Sequence, residues 1–321
     1  MPEISVIMST YNEKIDYLRQ AIESVQNQTF TNFEFIIILD NPENDAIRNC
    51  VYKYAEEDQR IKVIENENNL GLTQSLNKAI RIASGIYMSR MDADDIMHKN
   101  CLECELKVIQ KFNLDFVSAS KINIDERGNR LGKYINDFSP KQMRKLLPYD
   151  NSVNHSTVMV RLDKVRKENG YREIPSCEDY DLWLRMLFHG CNMRILPNVF
   201  LLYRMHADSI CGKDAYQLYQ SKRFLLKLCQ QSKKNITVWE DNNAFETFLR
   251  MQDMSQKKKK IFNQAYEMMH KGISLFQNKK YRESGKVLLN AISLDRSVLW
   301  ILWNKFSYQI RKVFVLYFVF I

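Results

Sequence analysis

The sequence predicts an α/β protein: a doubly wound sheet covered by helices, followed by a basic helical extension. Three observations carry that prediction. Short apolar, β-branched runs alternate with stretches whose apolar residues recur at spacings of three and four. Polar clusters directly follow three of those runs, at the strand ends where such sheets bind ligands. No glycine occurs between residues 4 and 13, so the first strand does not lead into the glycine-rich turn of a dinucleotide fold.

Residues 4–9 (ISVIMS) read as the first strand and run into Thr10-Tyr11-Asn12-Glu13. Leu18, Ala21, Ile22 and Val25 then mark one face of a helix. Residues 33–39 (FEFIIIL) are a second strand, closed by the polar, proline-containing turn at residues 40–45. Another helical pattern leads to a third short strand at residues 61–64, and Asn68-Asn69-Leu70-Gly71 makes a turn. Leu72, Leu76, Ala79, Ile80 and Ala83 mark a third helix, which Ser84-Gly85 ends before the strand that opens at Ile86. This alternation argues for parallel strands joined by helical crossovers. Tyr11 and Glu13, Asp40, and Asp92 with Asp94 then fall on one rim of the sheet.

The fourth strand ends in Asp92-Ala93-Asp94-Asp95. So much negative charge at the end of an apolar run is unfavourable unless a cation offsets it. Asp92 and Asp94 reach the same side of an extended backbone and suit a hard, oxygen-seeking metal, with phosphate oxygens completing its shell. The competing reading is a solvated acidic turn that caps the next helix. A P-loop is excluded, because no G-x-x-x-x-G-K-[ST] occurs. What remains is a nucleotide site that handles phosphate through a carboxylate-bound metal.

A second acidic cluster, Glu178-Asp179-Tyr180-Asp181, precedes the apolar face Trp183, Leu184, Met186 and Leu187. Acids in a first helical turn complement the helix dipole, a gain of about 0.3–1 kcal/mol each, so capping accounts for them without any chemistry. The alternative is a general base.

The ordered set of stretches SVIMSTYNE (5–13), FEFIIILDNPEND (33–45), NENNLGLTQSLNKAI (66–80), SGIYMSRMDADD (84–95), HSTVMVR (155–161), EDYDLWLRM (178–186) and LLYRMHADS (201–209) resembles the inverting family 2 glycosyltransferases. The bacterial branch that builds capsule, exopolysaccharide and O-antigen units is the most similar, and the match spans the first two-thirds of the chain. The resemblance implies a GT-A fold with a doubly wound mixed sheet. It places Thr10, Tyr11, Glu13 and Asn69 in the nucleotide pocket, with Tyr11 against the base and Asp40 bonded to the base edge, usually uracil. Asp92 would lie near the ribose, Asp94 would hold Mg²⁺ or Mn²⁺, and Asp92 and His206 would be further metal ligands. Arg204 and Arg90 would meet the diphosphate. Asp179 would be the catalytic base, with Glu178 positioning the acceptor or tuning its neighbour. Outside that resemblance, Arg204 and His206 read as ordinary surface residues after a strand. His155 suits packing as well as contact with the acceptor side. One departure stands out: many relatives carry a second acid where this chain has Asn41, which implies altered base contacts.

Composition fits an intracellular enzyme. The 321 residues are 45% hydrophobic, enough for one large core and an appendage. Seven cysteines suggest no disulfide framework, and the Cys101–Cys104 pair sits on a helical pattern without partners for zinc. Polar and charged residues from Asn12 to Arg19 interrupt the first apolar run, so no secretory signal is expected. The cytosolic side is therefore expected, with peripheral attachment to the inner face of the cell membrane. Residues 221–321 hold 19 Lys/Arg and 7 Asp/Glu, against 47 and 38 in the whole chain, so the net charge of +9 belongs to the C-terminal third. Domain boundaries are expected at 1–215 for catalysis, split near 98, and 216–321 for the basic region. Within the latter, residues 265–295 look like one helical hairpin, similar to a single tetratricopeptide unit.

Residues 297–321 are dense in aromatics but broken by Lys305, Arg311 and Lys312, too short a run to span a bilayer. They suit an anionic membrane surface, or else pack on the protein itself or a second copy, which leaves a homo-oligomer open. Nucleic acid is not expected as a partner, since no recognised module accompanies the charge. The function expected is transfer of one sugar from a nucleotide sugar, a UDP-sugar first, to a saccharide or polyprenyl-linked saccharide. The alternatives are a silent nucleotide-sugar-binding scaffold at the membrane, or a sugar-phosphate nucleotidyltransferase, which would normally carry a glycine-rich loop after the first strand.

Overall fold

The computed structural model describes residues 1–206, 214–232, 235–241 and 243–318. The chain divides into two compact units. One comprises Met1–Arg144, Asn151–Glu173 and Glu178–Ala207; the other comprises Lys145–Asp150, Ile174–Cys177 and Asp208–Ile321. Residues 207–209 of the LLYRMHADS stretch and residues 319–321 of the tail lie outside the described residues.

In the first unit β1 (Ile4–Thr10), β2 (Phe33–Leu39), β3 (Ile61–Glu65) and β4 (Tyr87–Arg90) are parallel, connected by α1 (Ile15–Gln26), α2 (Asp45–Glu57) and α3 (Leu72–Ile82). Every residue of β2 is buried, as an unbroken apolar run covered on both faces requires. The predicted face of α1 is the one that packs: Leu18, Ile22 and Val25 are fully buried, each worth about 1.5–3 kcal/mol relative to exposure. Glu34 is the exception within β2, and it is satisfied. It accepts from Ser5 Oγ (2.6 Å), Lys62 Nζ (2.7 Å) and Ser84 N (2.6 Å). Burial works against its charge, but these donors outweigh it and hold the carboxyl down at about 2.

After β4 come β5 (Ile96–Met97), α4 (Cys101–Lys111), β6 (Phe116–Ile124), β7 (Arg130–Tyr134), α5 (Pro140–Leu146), β8 (Met159–Arg161), α6 (Leu162–Lys167), α7 (Glu178–Phe188) and β9 (Met193–Arg204). The sheet order is β3-β2-β1-β4-β8-β6-β9-β5, with β7 paired to β6. Parallel pairing holds for the first four strands. Beyond them β8 runs antiparallel to both β4 and β6, and β5 antiparallel to β9, so the sheet as a whole is mixed. The chain winds outward from β1 in both directions, which puts the topological switch between β1 and β4. Thr10 pairs with Leu39 and Ile7 with Arg90, so the segments after β1, β2 and β4 emerge together on one rim.

The second unit is helical: α8 (Ala215–Ser232), α9 (Ala244–Arg250), α10 (Gln256–Gln277), α11 (Tyr281–Leu294) and α12 (Ser297–Phe318). The break between α10 and α11 falls at Asn278, with Lys279 in the left-handed region at φ 61°. Gly272 lets the two helices close: a Cβ there would lie 2.6 Å from Leu288 Cδ2, and Ser284 Oγ donates to its carbonyl at 2.8 Å. Tyr216, Tyr219, Phe262, Met269, Ala291 and Val298 form this unit's own core. Among the described residues no helix is long and apolar enough to cross a membrane.

Candidate active site

Each segment on the rim is organised by its own polar bonds. After β1, Glu13 accepts from Thr10 Oγ1 (2.5 Å) and from the backbone N–H of Tyr11 (2.8 Å), which folds residues 10–13 into a turn. Burial raises the Glu13 carboxyl above its ordinary range, and the Asp94 charge adds to the rise. The Tyr11 ring is left 42% exposed, a flat apolar face beside the crevice.

After β2, Asp40 is only 3% exposed and does structural work that the sequence did not reveal. Its Oδ1 accepts from Asn66 Nδ2 (2.7 Å) and Leu70 N (2.9 Å), and its Oδ2 from Gly71 N (2.9 Å). One carboxylate thereby fixes the whole 66–71 turn. Gly71 can start α3 there because it adopts φ +82°, a conformation costly for any residue with a Cβ. Asn69 is exposed and adds a 3.0 Å bond from Gly71 N to its own Oδ1. Asn41 donates to Asn12 Oδ1 at 2.8 Å, so the amide that replaces an acid ties the β1 and β2 loops to each other.

The acids after β4 separate into three environments. Asp92 pairs with Arg90 and accepts from Ser156 Oγ, and these partners hold its carboxyl low although burial opposes them. Asp94 Oδ2 lies 2.7 Å from His206 Nε2; burial, then the Asp92 charge, push the Asp94 carboxyl up. Asp95 is 1% exposed and raised well above its usual range by burial and by both neighbouring acids. It accepts from Arg204 N at 2.8 Å, and its Oδ2 is buried without a partner.

The two arginines expected at the diphosphate are both buried. Arg204 is 2% exposed, stacked 4.2 Å over the Tyr17 ring, and donates to Asp94 O (2.9 Å) and Gln20 Oε1 (2.9 Å). Arg90, also 2% exposed, pairs with Asp92 and donates to Ser156 Oγ (3.1 Å). Both lie where strands β4 and β9 end inside the sheet edge, and burying a guanidinium forces it to find partners in the protein. Asp92, Asp94 and His206 do not converge as a ready-made metal cage: among the described residues no three His, Cys, Asp or Glu side chains are so arranged. Asp92 is drawn away by Arg90. The acids still suit a cation, since burial and their mutual repulsion hold the Asp94 and Asp95 carboxyls above their ordinary range. Asp94 fits as the residue that would hold a divalent ion, with other oxygens coming from a ligand.

The second acidic cluster opens α7. Asp179 Oδ1 accepts from Tyr180 N (2.6 Å) and its Oδ2 from Asn151 Nδ2 (3.0 Å). Burial raises both acids, Glu178 to about 7 with help from the Asp179 charge. Arg90 pulls both back and Asp92 pushes them up, so the two clusters feel one another. Asp181 is different: it is fully buried and bound by Arg172 and by Arg185 Nε (2.9 Å), a structural ion pair. His155 packs rather than reaches. Its Nε2 is 2.8 Å from Tyr171 Oη, its ring lies 5.9 Å from Trp183, and burial keeps it neutral.

Asn66, Asn151 and Ser156 were missed in the sequence. Asn66 and Ser156 lay within stretches that carry the resemblance but had no assigned role; Asn151 lay in a segment without periodicity.

The family model for glycosyl transferase family 2 matches residues 5–170. An uncharacterised glycosyltransferase of Methanocaldococcus jannaschii is 35% identical over 74% of this chain and 84% of its own length. The O-antigen biosynthesis glycosyltransferase WbnJ of Escherichia coli is 32% identical over 70% of this chain and 87% of that one. Among solved structures, S. aureus TarS 1–349 in complex with UDP-GlcNAc superposes with a TM-score of 0.58 at 17% identity, covering 92% of this chain and 81% of that one. A mixed sheet with acid-bearing loops on one rim, and matches of this extent, lead to one conclusion: the chain belongs to glycosyl transferase family 2 and has the GT-A fold.

Proposed function

We propose that this glycosyltransferase moves one sugar, with inversion, from a UDP-sugar to a saccharide or polyprenyl-diphosphate-linked saccharide in the synthesis of a cell-surface polysaccharide. The observation that carries the reading is the pair Glu178–Asp179, two half-buried carboxyls raised above their ordinary range where α7 begins. A general base works best with a pKa near the operating pH, and burial supplies that rise. The O-antigen role of WbnJ and the UDP-sugar complex of TarS support the pathway and the donor.

Asp179 takes the proton from the acceptor hydroxyl. The oxygen then forms its bond to the anomeric carbon on the face opposite the leaving group, as the carbon–diphosphate bond breaks. An α-linked donor so gives a β-linked product. Asn151 holds the Asp179 carboxylate in place, and Glu178 shares the site's charge and orients the acceptor. On the donor side the exposed Tyr11 ring stacks on the base, beside Thr10, Glu13 and Asn69. Asp40 has one lone pair of Oδ2 left after its three internal bonds, enough for one hydrogen bond from a uracil edge. Asp92 keeps Oδ1 for the ribose. A divalent cation on Asp94, Mn²⁺ or Mg²⁺, when bound, supplies positive charge against the departing diphosphate. The enzyme works at the cytoplasmic face of the membrane, held there peripherally by its basic helical unit.

Calorimetry with UDP, GDP, CDP and ADP, with and without Mn²⁺, tests the donor half, with Asp94→Asn as control. Metal-dependent UDP binding lost in Asp94→Asn is the expected result. A folded protein that binds none of the four overturns the donor assignment and favours a scaffold role.

A further inference from the structure

A nucleoside diphosphate brings its negative charge to a rim that already holds Glu13, Asp92, Asp94 and Asp95. A divalent ion on Asp94 offsets part of that charge, and the remainder calls for a basic side chain with a free face. Arg90 and Arg204 are each 2% exposed, and both guanidiniums are bonded within the protein. Lys14 is different. It directly follows Glu13 and precedes α1, on the loop that carries Thr10 and Tyr11. Tyr17 N and Leu18 N donate to its carbonyl at 2.9 and 3.1 Å, so its backbone is fixed. Its side chain is 58% exposed, on a flexible four-carbon stem.

Two lines of contact lead from Lys14 to Asp94. Along the backbone its neighbour is Glu13, a carboxyl that the Asp94 charge reaches. Through the side chain, Lys14 Nζ pairs with Glu126 in the turn between β6 and β7, and donates to Tyr17 Oη at 3.4 Å. The Tyr17 ring lies 6.1 Å from the His206 ring, whose Nε2 is 2.7 Å from Asp94 Oδ2. The Lys14 bond holds the Glu126 carboxyl low, and His206 adds to the effect. Glu126 is itself 47% exposed, so water reaches both ends of the pair. Exposed pairs of this kind are weak, and a diphosphate offers the ammonium more charge than one carboxylate does.

We propose that Lys14 is a diphosphate contact of the donor site: its ammonium exchanges Glu126 for the phosphate oxygens and returns when the diphosphate product leaves. The inference rests on the donor reading above and adds a residue that reading does not use. Calorimetry of the full chain with UDP, and with uridine in competition against UDP, both with Mn²⁺, tests it in Lys14→Gln, Glu126→Gln and Arg127→Gln. All three positions are exposed, which keeps folding out of the comparison. Lys14→Gln should bind UDP about tenfold more weakly, the loss of one hydrogen bond between charged groups, and bind uridine as the parent does. Glu126→Gln should bind UDP at least as tightly as the parent, because no carboxylate then competes for the ammonium. Arg127→Gln, which removes the neighbouring cation, should leave both affinities unchanged. Four results overturn the proposal: parental UDP affinity in Lys14→Gln, an equal loss for UDP and uridine in that variant, a loss in Glu126→Gln as large as in Lys14→Gln, or the same loss in Arg127→Gln. The third would make the pair a brace of the loop, and the fourth a general effect of charge. A parent chain that binds neither ligand refutes the donor reading as well.

Discussion

Replacing Asp40 by Asn tests whether one buried carboxylate builds the nucleotide side of the site. Asp40 accepts three hydrogen bonds at 2.7–2.9 Å, two on Oδ1 and one on Oδ2. An amide has a single acceptor oxygen. With that oxygen kept toward Asn66 and Leu70, the new NH₂ group faces the Gly71 N–H, donor against donor. The bond lost is one to a charged group, worth about 1.5–3 kcal/mol. Gly71 N retains Asn69 Oδ1 at 3.0 Å, which keeps the loss within that range. In a unit of this size the cost corresponds to a fall in melting temperature of roughly 4–10 °C. Differential scanning calorimetry would measure it, and UDP calorimetry would report the turn's effect on the donor. Asn69→Ala, at an exposed position, should cost less than half as much. A variant as stable as the parent and with the same nucleotide affinity would refute the reasoning, because the turn would then hold its shape without the carboxylate.

Asp179→Asn should lower turnover by about 10²–10⁴ while UDP binding persists; full activity would remove Asp179 from the mechanism. A base raised above its ordinary range makes turnover rise with pH through that raised value. Asn151→Ala deletes a bond that stabilises the charged form, so the acid limb of the rate profile should move to higher pH. Glu34 is shifted the other way, downward, and there the effect falls on stability. Its folded value of about 2 lies below the usual 4.5, so its contribution is complete above pH 4.5 and is lost as pH falls from there toward 2. At about 1.4 kcal/mol per tenfold the total is about 3 kcal/mol, and Glu34→Gln should flatten that part of the acid-unfolding curve. Arg204→Ala should destabilise by about 1–3 kcal/mol, seen in guanidinium unfolding, because the Asp94 carbonyl and Gln20 Oε1 lose their guanidinium donor, while Asp95 keeps the backbone N–H of residue 204.

The sequence by itself determined the strands β1 to β4, their helices and the rim on which Tyr11, Asp40, Asp92 and Asp94 stand. Those elements are local: period-two and period-3.6 patterns record which face is buried, and polar turns record where it stops. It also determined the helical hairpin near residues 265–295 and the apolar character of α12. Tertiary structure alone decided how each polar group is spent. Asp181 and Asp179 are neighbours in one acidic run, yet Arg172 and Arg185 claim the first and leave the second at the crevice. The resemblance implied a phosphate contact for Arg204, whereas the residues alone read as an ordinary surface arginine; in the fold its guanidinium is buried over the Tyr17 ring. The insertion of β8 between β4 and β6 was invisible for the same reason. A three-residue strand carries too little pattern to announce itself, and its place is fixed by partners more than 40 residues away in sequence. Long-range pairing and the burial of charge are properties of the assembled fold, and no window along the chain contains them.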